Sequence, residues 1–233
     1  MNASATETAI AKIRELIMSG ELDPGARLPA EGVLAQWLGL ARNSTREAVR
    51  ALVAARVLDV RRGDGTYVTS LRPELLLEGI GFAAELMRGD AVLELVEVRR
   101  LLEPRAVAIA AMRATTSQLH AIGDCLRQMR AAADHAEFVR LDADFHDLVN
   151  RVSGNEALAS VLRGVSNPAF RARVWRDILE ADASERTMAE HERIYAALVA
   201  RNSVEAEQAA EDHIRSSEAW LLRVAQSGLP PTC

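Results

Sequence analysis

The hydrophobic periodicity of the chain changes character once, at Leu71-Arg72-Pro73, and that change bounds what it can fold into. Before it, short helical and strand patterns follow one another. After it, only the helical period remains. Ile10, Ile13, Leu16 and Ile17 recur at helical spacing and predict a helix over 6–19, which ends at Ser19-Gly20. Asp23-Pro24-Gly25 is a strong turn signal. A second, short helix follows Pro29, with Leu34, Trp37 and Leu38 on one side, and Gly39-Leu40-Ala41 breaks it. A third runs to about Ala55 and buries Val49, Leu52 and Val53. At its start Ser44-Thr45-Arg46-Glu47 reads as a capping box. Val57 to Arg62 and Thr66 to Thr69 then read as strands joined through Gly63-Asp64-Gly65. Helix, helix, tight turn, helix, hairpin is the order of a winged helix-turn-helix. In that fold the third helix enters the major groove by its N-terminal end and the hairpin is the wing.

Beyond Pro73 helices are expected near 74–88, 91–113, 116–133, 135–153, 155–180, 184–201 and 203–226. Their breaks fall at Gly89-Asp90, Thr115-Thr116, Asp134, Ser153-Gly154-Asn155, Asp182-Ala183-Ser184 and Asn202-Ser203. Pro168 should kink or divide the fifth of them. The expected architecture is mainly α: a winged helix-turn-helix domain over 1–72 and an antiparallel helical bundle over 73–233. Aromatics at only 4% fit helices packed by aliphatic side chains.

The opening MNASATETAIAK has neither a basic nor an apolar stretch of the kind a secretion signal carries. No run is long and apolar enough for a membrane span. Cys125 and Cys233 are too far apart in sequence to suggest a disulfide framework. A cytoplasmic protein is expected. The net charge of -5 argues against nucleic-acid binding, but its distribution does not. Between residues 40 and 62, Arg42, Arg46, Arg50, Arg56, Arg61 and Arg62 face only Glu47 and Asp59, for a local +4.

Chemistry concentrates at a few positions. Arg42, Asn43, Ser44 and Arg46 open the third helix, where Arg can grip guanine and Asn adenine. Asn43 or Ser44 could equally be a helix cap. Arg61, Arg62 and Gly63 lead into the wing turn. The two cations there suit a minor groove, or serve as ordinary edge-strand charge. Asp142 and His146, four apart, share a helix face. His191 lies on the stripe Met188, Tyr195, Leu198, and His213 on Ala206, Ala210, Ser217, Trp220, so both point inward. The four would converge if their helices adjoin. Three imidazoles and a carboxylate suit Zn, Ni or Mn with positions left for water or a ligand. Single inward histidines are otherwise hydrogen-bonded core residues. The sequence pattern sets no companion ligand beside His120 or His135, and both are expected at the surface. Arg99 lies on the inward stripe Val92, Leu95, Val96, Leu102, Ala106 and needs an anion, either Glu103 or the carboxylate of a ligand.

The first 70 residues resemble the GntR family of bacterial regulators. The resemblance rests on Ile13 to Gly20, the Asp23-Pro24-Gly25-Ala26-Arg27-Leu28-Pro29 turn, Leu34-Ala35, Leu38-Gly39, Arg42, Arg46-Glu47-Ala48 and Gly63-Asp64-Gly65. The helical remainder resembles the FCD (FadR-like) branch through Leu141-Asp142-Ala143-Asp144-Phe145-His146, Gly154-Asn155, and His191 and His213 in their contexts. The chain departs from the family pattern at Glu31-Gly32-Val33, where the family commonly has Glu-Arg-Glu, at Ala41 and at Asn43-Ser44.

The resemblance implies that Arg42 and Arg46 contact DNA. It also implies that Asp142, His146, His191 and His213 hold a divalent metal ion, zinc first, and that Arg99 lies near a ligand. The expectation is a repressor-type transcriptional regulator, a homodimer on a palindromic operator, controlled by a small organic acid at the metal site. Two alternatives stay open: a helical metalloenzyme with an accessory DNA-binding module, and a sensor of metal alone.

Overall fold

The computed structural model describes residues 4–87, 90–166 and 181–226. These divide into two compact units, Met1–Gly79 and Ile80–Cys233.

In the first unit α1 (Ala5–Met18) begins at a Ser4–Glu7 capping box. Glu7 donates its amide to Ser4 Oγ at 3.1 Å and accepts the Ser4 amide at 2.7 Å. α2 (Glu31–Leu38) ends at Gly39, whose left-handed φ of 65° makes the tight turn into α3 (Arg42–Ala54). The α3 cap differs from the sequence expectation. The helix starts at Arg42 with Ala41 as N-cap and no side-chain cap, so Ser44 lies within the first turn. The turn at Gly39 leaves no residues to spare, and the backbone enters the helix before Ser44. Trp37 also departs from expectation, being 63% exposed while Leu34 and Leu38 are buried. At an eight-residue helix the apolar stripe is narrow, and Leu34, Ala35 and Leu38 fill it. Leu34 and Leu38 pack with Ile13, Val49, Leu52, Leu58 and Val68 in one core.

The hairpin comprises β1 (Leu58–Arg61) and β2 (Gly65–Val68), antiparallel, with Leu58 opposite Val68 and Arg61 opposite Gly65. Gly63 takes φ 76° at its turn. The far edge of β2 is not bare. Leu28 donates to the Thr66 carbonyl at 2.8 Å and Val68 to the Ala26 carbonyl at 2.9 Å, which laces the turn before α2 to the wing.

The segment after Pro73 forms α4 (Pro73–Leu76) and α5 (Glu78–Leu86) where a single helix was expected. The helical unit continues with α6 (Asp90–Arg113), α7 (Thr116–Arg130), α8 (His135–Val152), α9 (Glu156–Val165), α10 (Ala181–Val199) and α11 (Ser203–Gln226). Thr115, Asp134 and Asn155 cap α7, α8 and α9 through their side chains, at the breaks read from sequence. The Pro168 expectation and the second half of the 155–180 helix lie outside the described residues. α6 and α11 pack against each other, with Ala110 and Ala111 of one and Ala206, Ala209 and Ala210 of the other buried in one core, and Ala106 and Ile214 buried together in another. Phe145, Ile122, Met129, Ile194 and Leu198 fill the space between α7, α8 and α10. Among the described residues no helix is long and apolar enough to cross a membrane.

Candidate metal centre and nucleic-acid interface

Inside this apolar core lies a polar cluster. Arg99, Glu103, Asp142, His146, His191 and His213 are each at most 4% exposed. Burying so many ionisable groups is costly unless they pair or ligate. α8 brings Asp142 and His146, α10 brings His191 and α11 brings His213. The imidazole nitrogens of the three histidines lie within 4.8 Å of one another. His191 Nε2 is 3.2 Å from His146 Nε2 and 3.5 Å from Asp142 Oδ1, and the second distance from Asp142, to His146 Nε2, is 3.9 Å.

The surroundings fix the rings. Phe145 stacks on His191 with centroids 4.3 Å apart. Glu190 Oε2 accepts from His213 Nδ1 at 2.7 Å, and Glu103 Oε1 bonds His146 Nδ1. On the surface, Arg193 of α10 reaches Glu205 at 2.8 Å and Asp212 at 2.7 Å on α11, holding the two helices in register. With the outer nitrogens of His146 and His213 directed at carboxylates, their Nε2 lone pairs are left for the centre. That is the arrangement a metal-ligating imidazole has. Several electron-pair donors aimed at one buried point repel unless a proton or a cation stands between them. The residues present therefore fit a divalent ion held by imidazole and carboxylate.

The sequence brought Asp142 and the three histidines to attention, and the structure brings them together. His120 and His135 are exposed, as expected. Arg99 is buried and its Nε donates to Glu103 Oε2 at 3.0 Å, so the internal partner is the one engaged. Its Nη2 is buried with no hydrogen-bond partner among the described residues. Two participants escaped the sequence reading. Glu103 stood out there only as a partner for Arg99. Asn150, four residues past His146 and so on the same face of α8, is 2% exposed, and its Oδ1 has no partner among the described residues.

In the first unit Arg42 opens α3 and lies over Gly32 of α2, where a Cβ would come within 3.3 Å of its guanidinium. Arg46 is exposed and meets Glu31 at 3.2 Å. Asn43 and Ser44 occupy the same exposed to half-exposed first turn. In the hairpin, Arg61 sits over the Tyr67 ring at 4.0 Å from its centroid, and Tyr67 donates to Asp64 Oδ2 at 2.8 Å. That hydrogen bond raises the phenol above its ordinary pKa. Arg62 and Gly63 form the exposed turn. Arg27 is a further cation at the wing base, where it reaches the Asp64 carbonyl. Its place in the turn before α2 gives no sign in the sequence of pairing with β2.

A helix-turn-helix with a wing, in one chain with a helical unit built around buried histidines, defines a bacterial DNA-binding regulator. Residues 5–68 match the bacterial regulatory proteins of the gntR family, and residues 94–216 match the FCD domain. The HTH-type transcriptional regulator LutR of Bacillus subtilis is 32% identical over 209 residues, covering 87% of this chain and 94% of that protein. The galactonate operon transcriptional repressor of Escherichia coli is 30% identical over 231 residues, covering 96% and 100%. The solved structure of Streptococcus agalactiae GntR superposes with a TM-score of 0.67 at 30% identity, over 92% of this chain and 99% of that one. The chain belongs to the GntR family of regulators, and its helical part is an FCD domain. It is a DNA-binding transcriptional regulator. The metalloenzyme alternative falls away, since the relatives and the matching folds are regulators.

Proposed function

We propose that the chain is a repressor whose operator affinity is set by a small hydroxy-acid bound at a zinc ion in the FCD domain. The single observation that carries this is the buried convergence of His146, His191, His213 and Asp142 beside Arg99, whose Nη2 has no partner among the described residues. Ligand carboxylate and guanidinium match bidentately, and the ion would take the remaining ligand oxygens. Asn150 Oδ1 would accept from a ligand hydroxyl, which relieves an otherwise unsatisfied buried acceptor. The name of the galactonate operon repressor, which contains a polyhydroxy carboxylate, is in keeping with this class of ligand.

On this reading residues 1–72 bind DNA and 73–233 bind metal and acid and hold a homodimer, whose twofold matches a palindromic operator. Arg42, Asn43, Ser44 and Arg46 meet bases and phosphates in the major groove. Arg61, Arg62 and Gly63 place the wing. The acid acts by binding two dimer conformations unequally.

Calorimetric titration of zinc-loaded protein with lactate, galactonate and their deoxy analogues tests the reading, paired with operator binding at each acid. Heat and altered operator affinity with a hydroxy-acid are expected. Operator affinity that follows zinc but is indifferent to every acid would overturn the reading and make the protein a sensor of metal alone.

A further inference from the structure

We infer that Glu103 is the positioning residue that ties the metal ligand His146 to the anion-gripping Arg99, one carboxylate oxygen on each. This rests on the metal-plus-acid reading above. Arg99 and Glu103 are four residues apart on α6 and face the same way into the core. Glu103 is 1% exposed. Its Oε1 takes the Nδ1 of His146 from α8, and its Oε2 takes the Nε of Arg99 at 3.0 Å.

Both partners are donors, and that decides the chemistry. A carboxylate accepts through two oxygens at once. The isosteric amide of Gln accepts through one and presents N–H at the other, which would meet a donor. A Gln could satisfy both only if His146 took the other tautomer, with its proton on Nε2 and no lone pair there for the metal. The consequence at His146 is a fixed tautomer, with the proton on Nδ1 and the Nε2 lone pair facing His191 Nε2, 3.2 Å away. The consequence at Arg99 is an anchored guanidinium. Nε is held by Glu103, and Nη2, without a partner among the described residues, is the edge left for an incoming anion. One side chain of α6 thus orients both the donor that α8 offers the metal and the cation that receives the acid.

The test uses the full-length chain, labelled with nitrogen-15 and stripped of metal, at pH 8. Long-range proton–nitrogen correlation reads the His146 tautomer. The parent should show the Nδ1–H form, and Arg99→Ala should keep it, because the other carboxylate oxygen still holds the ring. Glu103→Ala should lose the preference. Its Arg99 Nε–H resonance, shifted by the carboxylate in the parent, should return toward that of a solvated guanidinium. Glu103→Gln guards against a folding defect in the alanine variant and should disturb at least one of the two signals. Competition with a chromophoric chelator, zinc being the only added probe, should show both Glu103 variants weakened by about 10–100-fold. An Nε2–H tautomer in the parent, or unchanged signals at both residues in a folded Glu103→Ala protein, overturns the assignment. If the signals follow Glu103 but the parent takes up no zinc, the metal-plus-acid reading falls while the hold of Glu103 on both side chains stands.

Discussion

His146 and His191 meet Nε2 to Nε2 at 3.2 Å in the middle of the helical unit, from positions 45 residues apart in the chain. Two ring nitrogens at that distance repel unless a proton or a cation stands between them, and a bound ion would be within reach of the third histidine as well. His191→Ala and His213→Ala should each purify with little metal. Chelation should lower the melting temperature of the parent without unfolding it, since the apolar core around the cluster is large. A metal present at about a hundred times its dissociation constant contributes about 2.7 kcal/mol to folding. Ligation needs neutral imidazoles, so zinc affinity should fall as the solution is acidified. Elemental analysis and thermal melts with and without chelator check this. Full metal occupancy in both variants would return these histidines to the role of core residues.

Metal and acid should separate at Arg99. Because Arg99 touches Glu103 and not the metal ligands' inner nitrogens, Arg99→Ala should keep its zinc and lose acid affinity by about tenfold or more. His191→Ala should lose both together. Titration of each zinc-treated variant with lactate and galactonate gives the answer. Equal acid binding in Arg99→Ala and parent would remove Arg99 from the ligand site.

Much of this is legible in the sequence because periodicity reports direction. The stripes through His191 and His213 place both rings inward, and the i,i+4 spacing places Asp142 with His146. The winged helix order follows from turn residues at fixed places, above all Asp23-Pro24-Gly25 and Gly39. What is not legible depends on packing between distant segments. Glu103 looks like a local partner for Arg99 because α6 alone shows only that pair; the bond to His146 exists because α8 lies against α6. Arg27 joins the wing through strand pairing that a turn sequence does not announce. The α3 cap falls at Ala41 and not at Ser44, although serine is the better capping residue, because the Gly39 turn brings the backbone into the helix first.

Cys125 should be inert. It is buried, its thiol donates to the Leu141 carbonyl at 3.5 Å, and burial, aided by the charges of Asp144 and Asp142, pushes it up to about 11. In a Cys233→Ser background, iodoacetamide at pH 8.5 should label native protein far more slowly than denatured protein. The unfolded thiol ionises near its ordinary value of 9.0, the native one near 11, so stability should fall as pH rises through that interval. Rapid labelling of the folded chain at pH 8.5 would show the thiol to be accessible.

The DNA interface should divide into reading and holding. Arg42 opens the recognition helix with its guanidinium over Gly32, in space that a side chain on α2 would contest. Arg42→Ala should cost about 1–3 kcal/mol on operator DNA and flatten the preference over scrambled DNA. Gly32→Ala tests the same placement from the other side. It should stabilise α2 by up to about 1 kcal/mol through helix propensity, yet shift operator affinity, since the new Cβ presses on the movable end of Arg42. Arg62, in the exposed wing turn, should act as a point charge on phosphate. Arg62→Ala should weaken operator and scrambled DNA alike, and lower the slope of log affinity against log salt by about 0.9 for each phosphate that is no longer neutralised. Fluorescence anisotropy on both DNAs at several salt concentrations separates the two patterns. An Arg42→Ala protein with unchanged discrimination, beside an Arg62→Ala protein with unchanged salt slope, would take both the recognition helix and the wing out of the interface.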